Sequence, residues 1–135
     1  MAQDDQVTHI ESHAAAHLIV IIDDDDAVRE STRSLLEALG YAVRDHPSAE
    51  SFLASEPADA FVLLVDHHMP GITGAELLEM LHAKLGKVPV VMMTGRSDPT
   101  IEARCNRLGA KLLCKPVEVD LLVATIEEAR RACTP

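Results

Sequence analysis

At 135 residues with 47% hydrophobic side chains the chain can bury one core, and with aromatics at 2% that core has to be aliphatic. A formal net charge of −10 argues against nucleic acid as a direct partner, because phosphate binding needs a basic surface; it suits a cation or a basic protein surface. Cys105, Cys114 and Cys133, an odd number without C-x-x-C spacing, indicate neither a disulfide framework nor a zinc site and fit a reducing cytoplasm.

Residues 1–16 are polar and aperiodic and read as a flexible N-terminal tail ahead of one domain spanning residues 17–132. The tail has an acidic start and no apolar h-region, so it is not a signal peptide. No apolar run approaches the ~20 residues of a membrane helix, and a cytoplasmic protein without membrane contact is expected. His9, His13 and His17, at i, i+4 and i+8, would face one way on a helix and could hold a metal. A tail without helix-stabilising partners makes that the weaker reading.

From His17 onward a strand–helix alternation repeats five times. HLIVII, residues 17–22, lacks polar alternation, as expected of a strand covered on both faces. Asp25 or Asp26 then caps a helix with Val28, Leu35, Leu36 and Leu39 at helical spacing, and Gly40 ends it. YAVRD, residues 41–45, alternates and predicts an edge strand, and Ser48 starts a short helix with Phe52 and Leu53 inward. AFVLLV, residues 60–65, predicts a central strand; MPGITG is a turn, and Leu77, Leu78, Leu81 and Leu85 define the buried face of the next helix. VPVVMM, residues 88–93, is a third apolar strand, followed by TGRSDP and a helix carrying Ile101, Cys105 and Leu108 that Gly109 terminates. AKLLC, residues 110–114, is the last strand, and Leu121, Leu122, Thr125, Ile126 and Ala129 line the last helix. On this reading Cys114 is buried and inert while Cys105 and Cys133 lie nearer the surface. Met92 and Met93 are core filler, and Arg130 and Arg131 suit the last helix's C-terminus.

Five such units predict an α/β fold: a doubly wound five-stranded parallel sheet with helices on both faces. The functional crevice of such a sheet lies at the carboxyl ends of its strands. Those ends supply Asp23 and Asp24, then Asp66, Thr94 and Lys115 followed by Pro116. Four successive carboxylates, Asp23 to Asp26, need something to offset their repulsion, since charges about 4 Å apart repel by roughly 4 kcal/mol at an effective dielectric of 20. A Mg²⁺ ion (or Mn²⁺) between Asp23, Asp24 and Asp66 would do so, since hard oxygen ligands suit it. Asp25 and Asp26 lie further on and are better read as serving the helix N-terminus. An aspartate beside Mg²⁺ can attack a phosphoryl group, a lysine can hold the phosphoryl oxygens, and a threonine hydroxyl can bind the product phosphate.

IIDDDDAVRESTRSLLEALGY, LLVDHHMPGITGAELLEML, VPVVMMTGRSD and LGAKLLCKP, in this order and spacing, resemble the receiver domain of two-component response regulators over nearly all of residues 17–132. The resemblance implies a (βα)5, flavodoxin-like sheet with strand order 2-1-3-4-5, and Asp66 as the phosphoacceptor for a histidine kinase or histidine phosphotransfer protein. It implies that Asp24 is the direct Mg²⁺ ligand, that Asp23 acts mainly through water, and that the backbone carbonyl of His68 completes the protein ligands. Lys115 would pair with the carboxylate and then the phosphoryl group, with a cis bond to Pro116, a minority state for X–Pro. Thr94 would move toward the phosphate and carry the switch to the surface of the fourth helix, fifth strand and fifth helix. Such a protein is a phosphoacceptor with at most self-catalysed transfer and autodephosphorylation, not an enzyme in its own right. Its downstream partner would be a protein target or an output domain missing from this stretch, and homodimerisation is left open.

Three positions depart from or modulate that pattern. Leu112 stands where the family usually has Tyr or Phe, so coupling of an aromatic ring to Thr94 is not available in its usual form. His68 and Arg96, two residues after Asp66 and Thr94, occupy positions that tune phosphoryl lifetime in the family. His68 could hydrogen-bond the phosphate, position a water or bind a softer metal, against the alternative that it points to solvent. His67 is expected to face away. One rival reading is a haloacid-dehalogenase-like phosphatase, whose D-x-D-x-[TV] motif Asp24 to Val28 fits, with Thr94 and Lys115 as its second and third motifs. It lacks the later acidic pair and leaves Asp66 idle. The other is a phosphorylation-independent receiver that only binds protein, which Leu112 keeps open.

Overall fold

The computed structural model describes residues 18–55, 61–96 and 98–133. The proposed tail and the histidines His9, His13 and His17 lie outside them. Five parallel strands, β1 (Leu18–Ile22), β2 (Ala42–His46), β3 (Phe61–Asp66), β4 (Val90–Thr94) and β5 (Lys111–Cys114), form one sheet in the order β2-β1-β3-β4-β5. Between them run α1 (Asp26–Ala38), α2 (Ala49–Leu53), α3 (Gly74–Leu85) and α4 (Pro99–Leu108), and α5 (Val119–Cys133) follows β5.

The apolar strands lack alternation because both of their faces are covered. Ile19, Ile21, Val62, Leu64, Val91 and Met93 point to one side, where Leu36 of α1 and Leu122, Ile126 and Ala129 of α5 close over them. Val20, Ile22, Leu63, Val65, Val90 and Met92 point to the other, against α3, Ala49 of α2 and Ile101 and Cys105 of α4. The winding around the sheet is therefore as the alternation of elements predicts.

Local signals set the helix starts. Asp25 caps α1, its side chain accepting from the Val28 N–H at 3.1 Å. Thr73 and Glu76 form a reciprocal capping box on α3, and Asp98 with Pro99 opens α4. Gly109, at φ +77°, ends α4 in the left-handed conformation that favours glycine.

Several burial expectations are corrected. β5 is an edge strand, so Cys114 is exposed, whereas Cys105 is buried with its Sγ 3.9 Å from the Met92 sulfur. Leu39, Leu85 and Leu121 are 47%, 56% and 52% exposed, because each sits at or near a helix end where the covering face runs out. The short α2 leaves Phe52 half-buried and Leu53 exposed. Among the described residues, no helix is long and apolar enough to cross a membrane.

Candidate functional site

Parallel register brings the strand ends level. Ile22 pairs with both His46 and Val65, Asp66 with Met93, and Thr94 with Cys114. Asp66 and Thr94 are the last residues of β3 and β4, while Asp23 and Lys115 each follow their strand by one position. Backbone hydrogen bonds hold the ladder to its end: His67 N–H donates to the Met93 carbonyl at 2.8 Å and Lys115 N–H to the Thr94 carbonyl at 2.8 Å.

Asp23, Asp24 and Asp66 each offer a carboxylate oxygen, and these oxygens lie within 4.8 Å of one another. Asp23 and Asp66 are buried, whereas Asp24 is exposed. Lys115 Nζ reaches both buried acids, at 3.3 Å from Asp66 and 3.7 Å from Asp23. When all three acids are ionised, one ammonium against three carboxylates leaves two negative charges, which a divalent cation would neutralise. Burial is the main cause that raises the Asp23 carboxyl above its ordinary pKa; Asp66 and Asp24 add to it, while the Asp25 N–H and Lys115 oppose it. The Lys115–Pro116 bond is cis, as the resemblance implied.

The four-acid run therefore divides as expected. Asp25 caps α1 and donates its own N–H to Asp23 Oδ1 at 2.9 Å, and Asp26 pairs with Arg29 at 2.7 Å. Arg29 also donates to the Asp23 carbonyl at 2.8 Å, fixing the backbone under the acidic pocket. Its place one turn after the acids was the signal that could have singled it out.

Thr94 is fully buried, and its hydroxyl donates to the Arg96 carbonyl at 2.8 Å while accepting from the Arg96 N–H at 3.2 Å. Arg96 thus reaches the site through its backbone. His68 Nε2 lies 2.9 Å from Thr94 Oγ1, so His68 does not simply point to solvent. Leu112, level with Met92, is half-buried against the core on that face. His67 is anchored to α3: its Nδ1 accepts from the Ala75 N–H at 3.3 Å, and its ring lies edge-on to His68 at 4.9 Å. Burial first, then His68 and Arg104, lowers its pKa, favouring the neutral ring that this acceptor role requires.

Gly74 is a site-building residue that the reading of MPGITG as a turn did not single out. A Cβ there would lie 2.9 Å from the Asp66 carbonyl oxygen and 2.9 Å from His67 Cα. Only glycine lets α3 begin this close to the backbone of Asp66. The sequence carries no local signal of that approach, because a glycine directly behind Thr73 reads as part of the turn.

A buried acid pair, an exposed third acid, a lysine just past the last strand and a threonine at the neighbouring strand end thus converge at one edge of the five-stranded parallel sheet. Residues 19–127 match the family model for the response regulator receiver domain, and the chain belongs to that family.

Among individual proteins it is similar to the transcriptional regulatory protein FixJ of Azorhizobium caulinodans, with 44% identity over 108 residues, covering 78% of this chain and 51% of that protein. FixJ of Bradyrhizobium diazoefficiens is 40% identical over 119 residues, covering 87% and 58%. The chain thus spans about half the length of the curated relatives it matches. The crystal structure of FixJ-N superposes with a TM-score of 0.80 at 33% identity, over 88% of this chain and 97% of that one. Family membership sets aside the phosphatase reading, which had no use for Asp66.

Proposed function

We propose that this FixJ-like receiver accepts a phosphoryl group on Asp66 from the phosphohistidine of a histidine kinase or histidine phosphotransfer protein, in a Mg²⁺-dependent reaction. The observation that supports it is the clustering of the Asp66, Asp23 and Asp24 oxygens with Lys115 bridging the two buried acids.

In the transfer, an Asp66 carboxylate oxygen forms a bond to phosphorus as the phosphorus–nitrogen bond breaks, and the donor imidazole leaves with the electron pair of that bond. Lys115 first holds the Asp66 carboxylate and then follows the charge onto a phosphoryl oxygen. Thr94 supplies a hydroxyl to the acyl phosphate once formed. The acidic set of Asp23, Asp24 and Asp66 fits a hard divalent ion; as the resemblance implies, Asp24 would hold it directly with Asp66 and the His68 carbonyl, and Asp23 would act through water. Mg²⁺, or Mn²⁺, would supply charge neutralisation between the acids and the incoming phosphoryl oxygens.

The protein is then a phosphoacceptor and not an enzyme acting on other molecules, and it works in the cytoplasm. The surface of α4, β5 and α5 would carry the signal. The relatives named above are transcriptional regulatory proteins about twice as long, so an output domain or a separate protein target would read it.

Intact mass after incubation with acetyl phosphate tests this. One phosphoryl group should be gained, only with Mg²⁺ and not in Asp66→Asn. No gain under any condition would overturn the proposal and leave a receiver that signals by binding alone.

A further inference from the structure

The helix α2 is five residues long, about 7.5 Å of helix, beside a five-residue β2 that runs about 17 Å. It therefore covers only part of the sheet face on which it lies. A cavity of about 200 Å³ remains, lined by β2, α2, β3 and α3. The chain's two phenylalanines, Phe52 and Phe61, both line it, with their rings edge-on at 6.0 Å and each only half-buried. Leu81 and Leu85 of α3 extend the apolar wall, the first buried and the second exposed.

The charge around this cavity has one sign. Arg44 pairs in register with Val20, so its side chain stands on the same face of the sheet, and Lys84 belongs to α3. Neither makes an ion pair among the described residues, and no carboxylate is among the described residues that line the cavity. In a chain of net charge −10, two cations with no acid between them invert the charge of the molecule locally. The lining shares no residue with the acidic cluster of Asp23, Asp24 and Asp66, so the two sites are separate.

We propose that this cavity binds a small aromatic carboxylate, its ring against Phe52, Phe61 and Leu81 and its carboxylate between Arg44 and Lys84. Size, wall and charge each bear on that choice. An apolar cavity of about 150 Å³ suffices for benzene, so about 200 Å³ takes one ring with a short acidic arm. Two phenylalanine rings offer edge-on and offset contacts that an aromatic ring uses better than an alkyl chain does. A guanidinium gives a carboxylate two parallel hydrogen bonds, and an ammonium adds a point charge. Free phosphate would leave the apolar wall unused, and a long acyl chain would exceed the volume.

The probe is phenylacetate, titrated into the full chain while NMR follows the methyl resonances of Leu81 and Leu85. Both should shift saturably, with a dissociation constant on the order of 1 mM for a ligand of this size. Phenylacetamide, which keeps the ring and loses the charge, should bind roughly tenfold more weakly, the range expected when hydrogen bonds to a charged group are lost. Arg44→Gln combined with Lys84→Gln should weaken phenylacetate by a similar factor and leave phenylacetamide unchanged. Both residues are exposed, so the double variant keeps the core intact. No saturable shift at Leu81 and Leu85, equal binding of the acid and the amide, or undiminished phenylacetate binding in the double variant overturns the proposal. So does movement of the same methyl resonances when the ligand-free protein is diluted, since a second copy of the chain would then fill the cavity.

Discussion

The interior of the sheet and its carboxyl edge are built on opposite energetics. Along β1, β3 and β4 the apolar side chains are buried on both faces, each full burial contributing about 1.5–3 kcal/mol. One residue further along, the same strands end in buried polar groups: Asp23, Asp66 and Thr94. There the chain desolvates carboxylates beside one another with a single half-exposed ammonium between the two buried ones. The difference teaches where function sits. The interior fixes the geometry, and the edge holds buried charge that Lys115 offsets in part and a bound cation would relieve further.

The largest effect expected on that comparison comes from the interior. Leu64 is fully buried in the centre of the sheet, facing α5 and α1. Leu64→Ala should lose about 2–5 kcal/mol, measured by urea unfolding. If it costs under 1 kcal/mol, the interior is not what holds the edge in place.

Gly74 sits on the border between the two regions. Gly74→Ala puts a methyl group 2.9 Å from backbone atoms of Asp66 and His67, which cannot swing aside like a side-chain tip. About 1–3 kcal/mol should be lost, the cost typical of overpacking, and Mg²⁺ affinity should fall with it because the Asp66 backbone is displaced. A stable variant with unchanged metal affinity would show that α3 does not position the acceptor.

At the edge itself the sign reverses. The Asp23 pKa is raised in the folded protein, so folding favours its protonated form. Between its ordinary value and the raised one the native state holds the extra proton. Stability without metal therefore falls as pH rises through that window. Asp23→Asn should remove this dependence and make the metal-free protein more stable at neutral pH, while weakening Mg²⁺ binding. Thermal unfolding at several pH values with a chelator present reads this directly. A variant less stable than wild type at neutral pH would mean that Asp23 is fully compensated by Lys115 and the Asp25 N–H.

Much of this was legible before the fold. Runs such as LIVII and VLLV announce covered strands, and a parallel sheet makes strand ends converge, so Asp23, Asp66, Thr94 and Lys115 follow from position alone. What local pattern cannot carry is the neighbourhood across the sheet. Cys114 and Cys105 exchanged their expected burial because β5, last in the strand order, is an edge strand, and because Cys105 shares the sheet-facing side of α4 with Ile101. The His68–Thr94 contact joins residues 26 positions apart, and nothing near either one encodes it. Gly74 is a contact defined by what is missing, a Cβ, and so reads as an ordinary turn glycine.

The smallest effect divides the four acids that open α1. Asp25 and Asp24 are adjacent, both exposed and both acidic, yet their surroundings assign them to different regions. Asp25 caps the helix, accepting from the Val28 N–H, and Asp24 offers its oxygen to the metal cluster. Asp25→Ala should cost about 1 kcal/mol of stability, since an orphan donor of the first turn loses its acceptor. Its Mg²⁺ affinity should change little, because its side chain is outside the cluster. Asp24→Ala should do the reverse, sparing stability and lowering Mg²⁺ affinity most. Calorimetric titration with Mg²⁺ beside urea unfolding separates the two. If both variants lost metal equally, the run would be an undivided patch of negative charge attracting the ion from a distance, and high salt would then weaken binding in the wild type as strongly as either substitution.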